Sequence, residues 1–232
     1  MRRKPIGESS TPPVQVVLAV VLQVRAQTLQ TLLWQRARDP FATAWALPGG
    51  TLAASETLDE SIRRHLAMKV DVRELAHAEQ LGTWSDPSRN PSRWELATAY
   101  LGLVPAGIDP ELPADTAWHP VDGLPQLAFD HGELVLAARE RLRAKLSYTN
   151  VGFALAPPTF TLPELRDLYV AALGYEVSAT NLKRVLLRRE VLEQTGERRD
   201  PGRVGGRPAE LYRFSSTGLE ITDPFAALRP PA

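Results

Sequence analysis

Apolar positions change their spacing several times along the chain, and each change marks an element. Residues 14–24 form a β-branched run interrupted by Gln15 and Gln23, and residues 29–35 form another across a polar turn. Both predict strands, followed by a loop over 36–43. Residues 78–84 and 94–104 predict two more, the second alternating enough to leave one face in solvent, until Pro105-Ala-Gly107 stops it. Between the two pairs, Leu58, Ile62, Leu66 and Val70 recur every fourth residue, which predicts a helix over 57–70 with one apolar stripe. A second amphipathic helix is expected over about 133–146, with Leu134, Leu142 and Leu146 among its apolar positions and Arg139, Arg141, Arg143 and Lys145 elsewhere.

After Ser147 the pattern changes to short helices and a glycine-rich hairpin, placing a boundary near 147–158. Thr161-Leu-Pro-Glu164 carries a capping box with an early proline, Leu165, Leu168, Tyr169 and Ala172 form the buried stripe that follows, and Gly174 is a suitable stop. Ser178 can cap the next helix, in which Leu182, Val185 and Leu186 face inward while Asn181, Arg184 and Arg188 share the opposite face. Residues 195–214 then predict two short strands around a basic loop. Helix, turn, helix and basic hairpin outline a winged helix-turn-helix. The chain divides into a flexible basic tail (1–13), a first domain (14–146), the winged helix domain (147–215) and a C-terminal tail (216–232).

Composition narrows the chemistry. The 232 residues suffice for one large or two small cores, and none is cysteine, which excludes disulfides, thiol catalysis and thiolate zinc sites. The most apolar run is too short for a membrane helix of roughly 20 residues. With 27 basic and 27 acidic residues the net charge is zero, so nucleic-acid affinity must come from local clustering. Such a cluster exists: residues 178–213 hold nine basic side chains against five acids. An outward face with Thr180, Asn181, Lys183, Arg184 and Arg188 suits a major groove, where asparagine pairs with adenine and arginine with guanine. Arg198, Arg199, Arg203 and Arg207 of the wing suit phosphates or a minor groove. The competing reading is a solvated charged face. For the tail residues Arg2, Arg3 and Lys4, a solvated end outweighs a minor-groove arm.

In the first domain, Trp45-Ala-Leu-Pro-Gly-Gly50 is followed after five residues by Glu56 and after seven more by Arg64. Gly50, Glu56 and Arg64 fall in register with the box Gly-x5-Glu-x7-Arg-Glu-U-x-Glu-Glu-x-Gly-U, where U is a bulky aliphatic, and here the chain resembles the Nudix fold. In the hydrolases with that box, acids at i, i+3 and i+4 after the arginine hold divalent metal. The corresponding positions here are His65, Met68 and Lys69, with Asp71 in place of a glycine. An ammonium and a thioether are not hard oxygen ligands, so no metal site and no catalytic residue is expected. The glycine loop at Gly49 and Gly50 can still offer amides to a diphosphate, Arg36, Arg38, Arg64 and Arg89 can neutralise it, and Trp45 or Trp84 can stack on a base. Singly, Trp45 is more often core, and each arginine is more often a solvated charge than a ligand contact. Asp130-His131 is either a further ligand-facing pair or a helix cap, and His77 and His119 read as structural.

Residues 39–50, Trp118-His-Pro-Val-Asp122 with Leu127-Ala-Phe-Asp-His131, and residues 205–214 together resemble the Nudix-related transcriptional regulators of the NrtR type. The resemblance spans nearly the whole chain. It implies an α/β/α-sandwich Nudix-like domain followed by a winged helix domain, in a homodimeric cytoplasmic repressor of NAD biosynthesis or salvage genes. Such a repressor binds double-stranded DNA at a palindromic operator, responds to ADP-ribose or a related NAD metabolite, needs no cofactor and touches no membrane. The alternatives are an active hydrolase of ADP-ribose-like nucleoside diphosphates using Glu56, Asp59, Glu60, Glu79 or Glu95, and a DNA-binding or interaction module in which the Nudix domain only dimerises.

Overall fold

The computed structural model describes residues 12–70, 72, 75–200 and 208–223. The tail residues Arg2, Arg3 and Lys4, position 71 of the box and the wing residues Arg203 and Arg207 lie outside them. The apolar run at the start becomes β1 (Val14–Arg25), and β2 (Thr28–Gln35) follows it as an antiparallel neighbour. Short strands β3 (Trp45–Ala46) and β4 (Gly49–Thr51) come next, then α1 (Leu58–Val70), β5 (His77–Trp84), β6 (Glu95–Leu103), β7 (Thr116–Pro120) and α2 (His131–Tyr148). The sheet is mixed. Its order is β3-β2-β1-β6-β5, with β4 added to β1, β7 added to β2, and β1 parallel to β6.

The two-residue period of β1 divides the core into two layers. Val16, Leu18, Val20 and Leu22 face Leu134, Ala138, Leu142 and Leu146 of α2. Val17, Ala19 and Val21 face Ile62, Leu66 and Val70 of α1. The expected stripe on α1 is therefore the surface that covers the sheet. Both predicted polar interruptions are hydrogen-bonded: Gln15 donates to Thr98 Oγ1 at 2.9 Å, and buried Gln23 donates to the carbonyls of Pro105 and Ile108 at 2.8 and 2.7 Å. One expectation fails. β6 has no solvated face, because it lies between β1 and β5 with both surfaces covered, so eight of its nine residues are buried. Strands β3, β4 and β7 were not expected; two to five residues are too few to show a period.

Past a 3-10 turn at Val151–Ala154 come α3 (Leu162–Leu173), α4 (Ala179–Arg188) and the hairpin β8 (Leu192–Arg199) and β9 (Ala209–Phe214). The capping box on α3 forms as read: Thr161 and Glu164 exchange side-chain and backbone bonds, Pro163 stands in the first turn, and Gly174 closes the helix at φ 77°. Ser178 caps α4 through the amide of Asn181. The winged helix packs on the sandwich, so that Phe160, Leu165, Leu168 and Tyr169 continue the α2-side core. Residues 216–223, read as a tail, are instead anchored at the end of α2. Asn150 bonds the Gly218 carbonyl at 2.7 Å and the Glu220 amide at 2.8 Å, and the Thr222 amide donates to the Tyr148 carbonyl at 2.9 Å. Among the described residues no helix is long and apolar enough to cross a membrane.

Candidate effector cleft and nucleic-acid interface

Gly49 and Gly50 open β4, the short strand that pairs with β1 ahead of α1. A Cβ on Gly49 would lie 2.1 Å from the Val17 carbonyl oxygen, so only glycine permits β4 to reach β1 at that point. A Cβ on Gly50 would meet the His65 ring at 2.5 Å, because the imidazole fills the space over β4 and its Nε2 lies 3.1 Å from the Thr51 carbonyl. Burial, reinforced by Arg64 and Lys69, holds the His65 pKa below its ordinary value.

The retained acids nearby each have another partner. Glu56 receives Arg64 Nε and Nη2 at 2.8 and 2.5 Å and the Ala53 amide at 2.7 Å, which lower its pKa to about 2. Glu60 accepts from the amide and hydroxyl of Thr57 at 2.7 and 2.9 Å, and its own amide donates back, a capping box at the start of α1. Asp59 accepts from the Tyr100 hydroxyl, which burial and that bond push up to about 12. Glu79 is bound by Lys145, Arg141 and His77, and Glu95 by Arg89, Arg93 and Asn90. Among the described residues no group of three or more His, Cys, Asp or Glu side chains could hold a metal ion. At the three box positions, His65 lies against the Thr51 carbonyl of β4, Met68 is three-quarters exposed, and Lys69 donates to the Gly49 carbonyl at 2.5 Å. This donor set does not suit a hard divalent cation.

Beside β4 lies a cleft of about 380 Å³, open to solvent. Its walls include Arg36, Gly49, Gly50, Lys69 and Arg93, with Trp34 and Phe129 as aromatic surfaces and Glu95 and His131 at the sheet and the start of α2. Arg36 stacks over Phe129 at 4.7 Å, and Lys69 Nζ lies 4.4 Å from the Trp34 ring centroid. His131 Nδ1 accepts the Leu47 amide at 3.0 Å. Burial, then the nearby Arg89 and Arg36 cations, lower its pKa to about 3, so the ring is neutral with its proton on Nε2.

Of the residues the sequence nominated for ligand, the structure brings Arg36, Gly49 and Gly50 to this cleft and not the other five. Arg38 is exposed on the neighbouring loop. Arg64 is turned to Glu56. Trp45 packs edge-on against His119 at 4.3 Å, and Trp84 packs against the α2-side core. Arg89 is a correction of another kind: its side chain is 1% exposed and bridges Asp130 and Glu95, each at 2.7 Å, so its charge is balanced internally. Asp130 makes that bridge and no side-chain cap on α2, and of the pair Asp130-His131 only His131 lines the cleft. The residues missed were Trp34, Lys69, Arg93 and Phe129. Trp34 and Lys69 carried core and anti-metal signals in the sequence, and nothing local marks the other two.

The second surface is α4 with the wing. Leu182, Val185 and Leu186 are buried, Thr180, Arg184 and Arg188 are exposed, and Asn181 and Lys183 are partly so, as the spacing required. Arg184 donates to Asn181 Oδ1 at 2.8 Å, Lys183 lies over the Tyr212 ring at 5.5 Å, and Arg188 reaches Asp223 at 3.3 Å. In the wing, Arg198 lies 3.9 Å from Glu210 and Arg199 pairs with Glu164. These exposed pairs are weak and exchangeable.

A family model described as NUDIX domain matches residues 13–138, and one described as NrtR DNA-binding winged helix domain matches residues 152–214. The chain is 30% identical over 219 residues to the ADPR responsive transcriptional repressor NtrR of Acinetobacter baylyi, covering 91% of this chain and 86% of that one. Among solved structures it is similar to Shewanella oneidensis NrtR complexed with a 27mer DNA, at 34% identity and TM-score 0.73, covering 86% of this chain and 93% of the other. It is also similar to the NUDIX domain of that NrtR complexed with ADP ribose, at 33% identity and TM-score 0.51, covering 57% of this chain and 90% of the other. The chain belongs to the NrtR family of Nudix-related regulators, joining a NUDIX domain to that family's DNA-binding winged helix domain.

Proposed function

We propose that this protein is a ligand-gated transcriptional repressor of NAD biosynthesis or salvage genes, acting in the cytoplasm as a homodimer on a palindromic operator. ADP-ribose or a related NAD metabolite binds the Nudix cleft and releases the DNA. Thr180, Asn181, Lys183, Arg184 and Arg188 read the major groove, while Arg198 and Arg199 hold phosphates after giving up their intramolecular acids. Arg36, Arg93 and the β4 residues Gly49 and Gly50 meet the diphosphate, and Trp34 and Phe129 meet apolar parts of the nucleotide. Two-fold symmetry would set the recognition helices about 34 Å apart, one DNA turn.

The observation that carries the reading is the course of α2. Its first residue, His131, lines the cleft; near its last turn the Ser147 carbonyl accepts a hydrogen bond from Arg189, the buried residue that ends α4. One helix of 18 residues, about 27 Å long, thus connects the ligand site with the base of the recognition helix. A ligand that favours a different tilt of α2 would shift the spacing between paired recognition helices.

The hydrolase alternative lacks a set of acids free to act, since each candidate carboxylate already holds a cation, a cap or a hydroxyl. The deciding experiment is an anisotropy titration against the protein's own upstream region and NAD-gene promoters, with magnesium, repeated with ADP-ribose and with NAD. Specific binding reversed by ADP-ribose that is recovered intact is the expected result. Unchanged affinity at saturating nucleotide defeats release, and cleavage of ADP-ribose without specific DNA binding replaces the repressor with an enzyme.

A further inference from the structure

We propose that Lys69 is the resident cation of the diphosphate site: its ammonium contacts the phosphate oxygens directly, so the effector binds without a divalent metal. The proposal rests on the reading of the cleft as a nucleoside-diphosphate site and adds the means by which this chain neutralises that charge.

Three observations converge on Lys69. Its Nζ donates to the Gly49 carbonyl at 2.5 Å, and that carbonyl belongs to β4, where Gly49 is paired with Leu18 of β1. The Trp34 ring, 4.4 Å away, is itself held by its indole N–H donating to the Leu47 carbonyl at 3.0 Å, so the ammonium is steered from two sides. Lys69 also lines the cleft.

The charges around it point to an anionic occupant. No carboxylate among the described residues pairs with Lys69; the charged groups acting on it are Arg36 and Arg64, both cations, which together with burial lower its pKa. Arg64 is balanced by Glu56, and Glu95 on the far wall by Arg89 and Arg93. The charged side chains that line the cleft are Arg36, Lys69 and Arg93 against Asp39 and Glu95, which leaves one positive charge over. An ammonium has three N–H donors, of which the Gly49 carbonyl takes one. A diphosphate supplies acceptors for the rest. A divalent cation beside the same carbonyl would meet like charge at hydrogen-bond range.

Isothermal titration of the full chain with ADP-ribose, in magnesium and in EDTA, tests this, with inorganic pyrophosphate as a second probe. The wild type should bind equally in the two buffers, Lys69→Met should weaken binding about tenfold or more, and Lys69→Arg should restore most of it. Because Lys69 is only half-buried, circular dichroism of the methionine variant should match that of wild type. Loss of binding in EDTA, or equal binding by Lys69→Met, overturns the proposal while leaving the ADP-ribose reading standing. If ADP-ribose does not bind but pyrophosphate binds in EDTA through Lys69, the effector reading falls and the cation site stands. Failure of both probes overturns both.

Discussion

Arg64 faces Glu56 with two parallel hydrogen bonds, 2.8 and 2.5 Å long, so the two ionic residues kept from the Nudix pattern are bound to each other and not to the cleft. Arg64 and Glu56 tie α1 to the loop before it, and that tie depends on the planar fork of a guanidinium. Arg64→Lys should therefore speed hydrogen exchange and proteolytic nicking over residues 51–57 while ADP-ribose affinity stays within about twofold, a lysine being a poor substitute for a bidentate fork. Unchanged protection of the loop would show that the pair is incidental.

Arg89 sits 1% exposed between Asp130 and Glu95. Arg89→Met would leave two carboxylates facing each other with one cation removed, and breaking such a buried network costs about 3–5 kcal/mol. Urea unfolding should read that loss, along with weaker ADP-ribose binding, since Glu95 and the start of α2 border the cleft. A variant as stable as wild type would mean that water or Arg93 already compensates.

His131 supplies the pH dependence. Its folded pKa, about 3, lies below the unfolded value near 6.5, so the unfolded chain binds the extra proton first. Stability from this group is complete above about pH 6.5 and falls as pH drops toward 3, by at most about 1.4 kcal/mol per unit. His131→Asn keeps an acceptor for the Leu47 amide but cannot titrate, and its unfolding free energy should be flatter over that interval. Parallel curves for the two proteins would remove His131 as the cause.

Arg184 and Asn181 hold each other at 2.8 Å on the exposed face of α4. Arg184→Ala should weaken operator binding by about 1–3 kcal/mol and relax one base position if the arginine reads a base. A double-mutant cycle with Asn181→Ala should be non-additive, because either substitution disturbs the other side chain. Additive losses in anisotropy would show that the two act separately.

Arg189 is buried at the junction of the domains, bonded to the Ser147 carbonyl and reaching Asp223 at 3.4 Å. Arg189→Ala removes a charge-assisted bond worth about 1.5–3 kcal/mol. The measurement is ADP-ribose release of DNA: the variant should keep nucleotide affinity and lose part of the coupling between nucleotide and DNA. Coupling at the wild-type level would move the link away from the end of α2.

Hydrophobic period was enough to locate β1, β2, β5, β6 and the four helices, because those elements are long enough to repeat a pattern, and the caps at Thr161 and Ser178 follow from local chemistry alone. The face of α4 was legible for the same reason: a helix that buries Leu182, Val185 and Leu186 must turn Arg184 and Arg188 outward. The missing acids after Arg64 were legible too, since the type of ligand atom is fixed by residue identity. Tertiary structure alone decided the rest. Arg89 became an internal ion because Asp130, 41 residues away, came within hydrogen-bond reach of it, and Arg64, partly exposed, was turned away from the cleft by Glu56. β6 lost its expected solvent face because the α1 and α2 layers cover its two sides, and residues 216–223 found the end of α2. Lys69 reads in one dimension as a lost metal ligand; only the Gly49 carbonyl of β4 and the Trp34 ring show where its charge is held. Local pattern fixes which way a side chain faces, while its partners are set by contacts between segments distant in the chain.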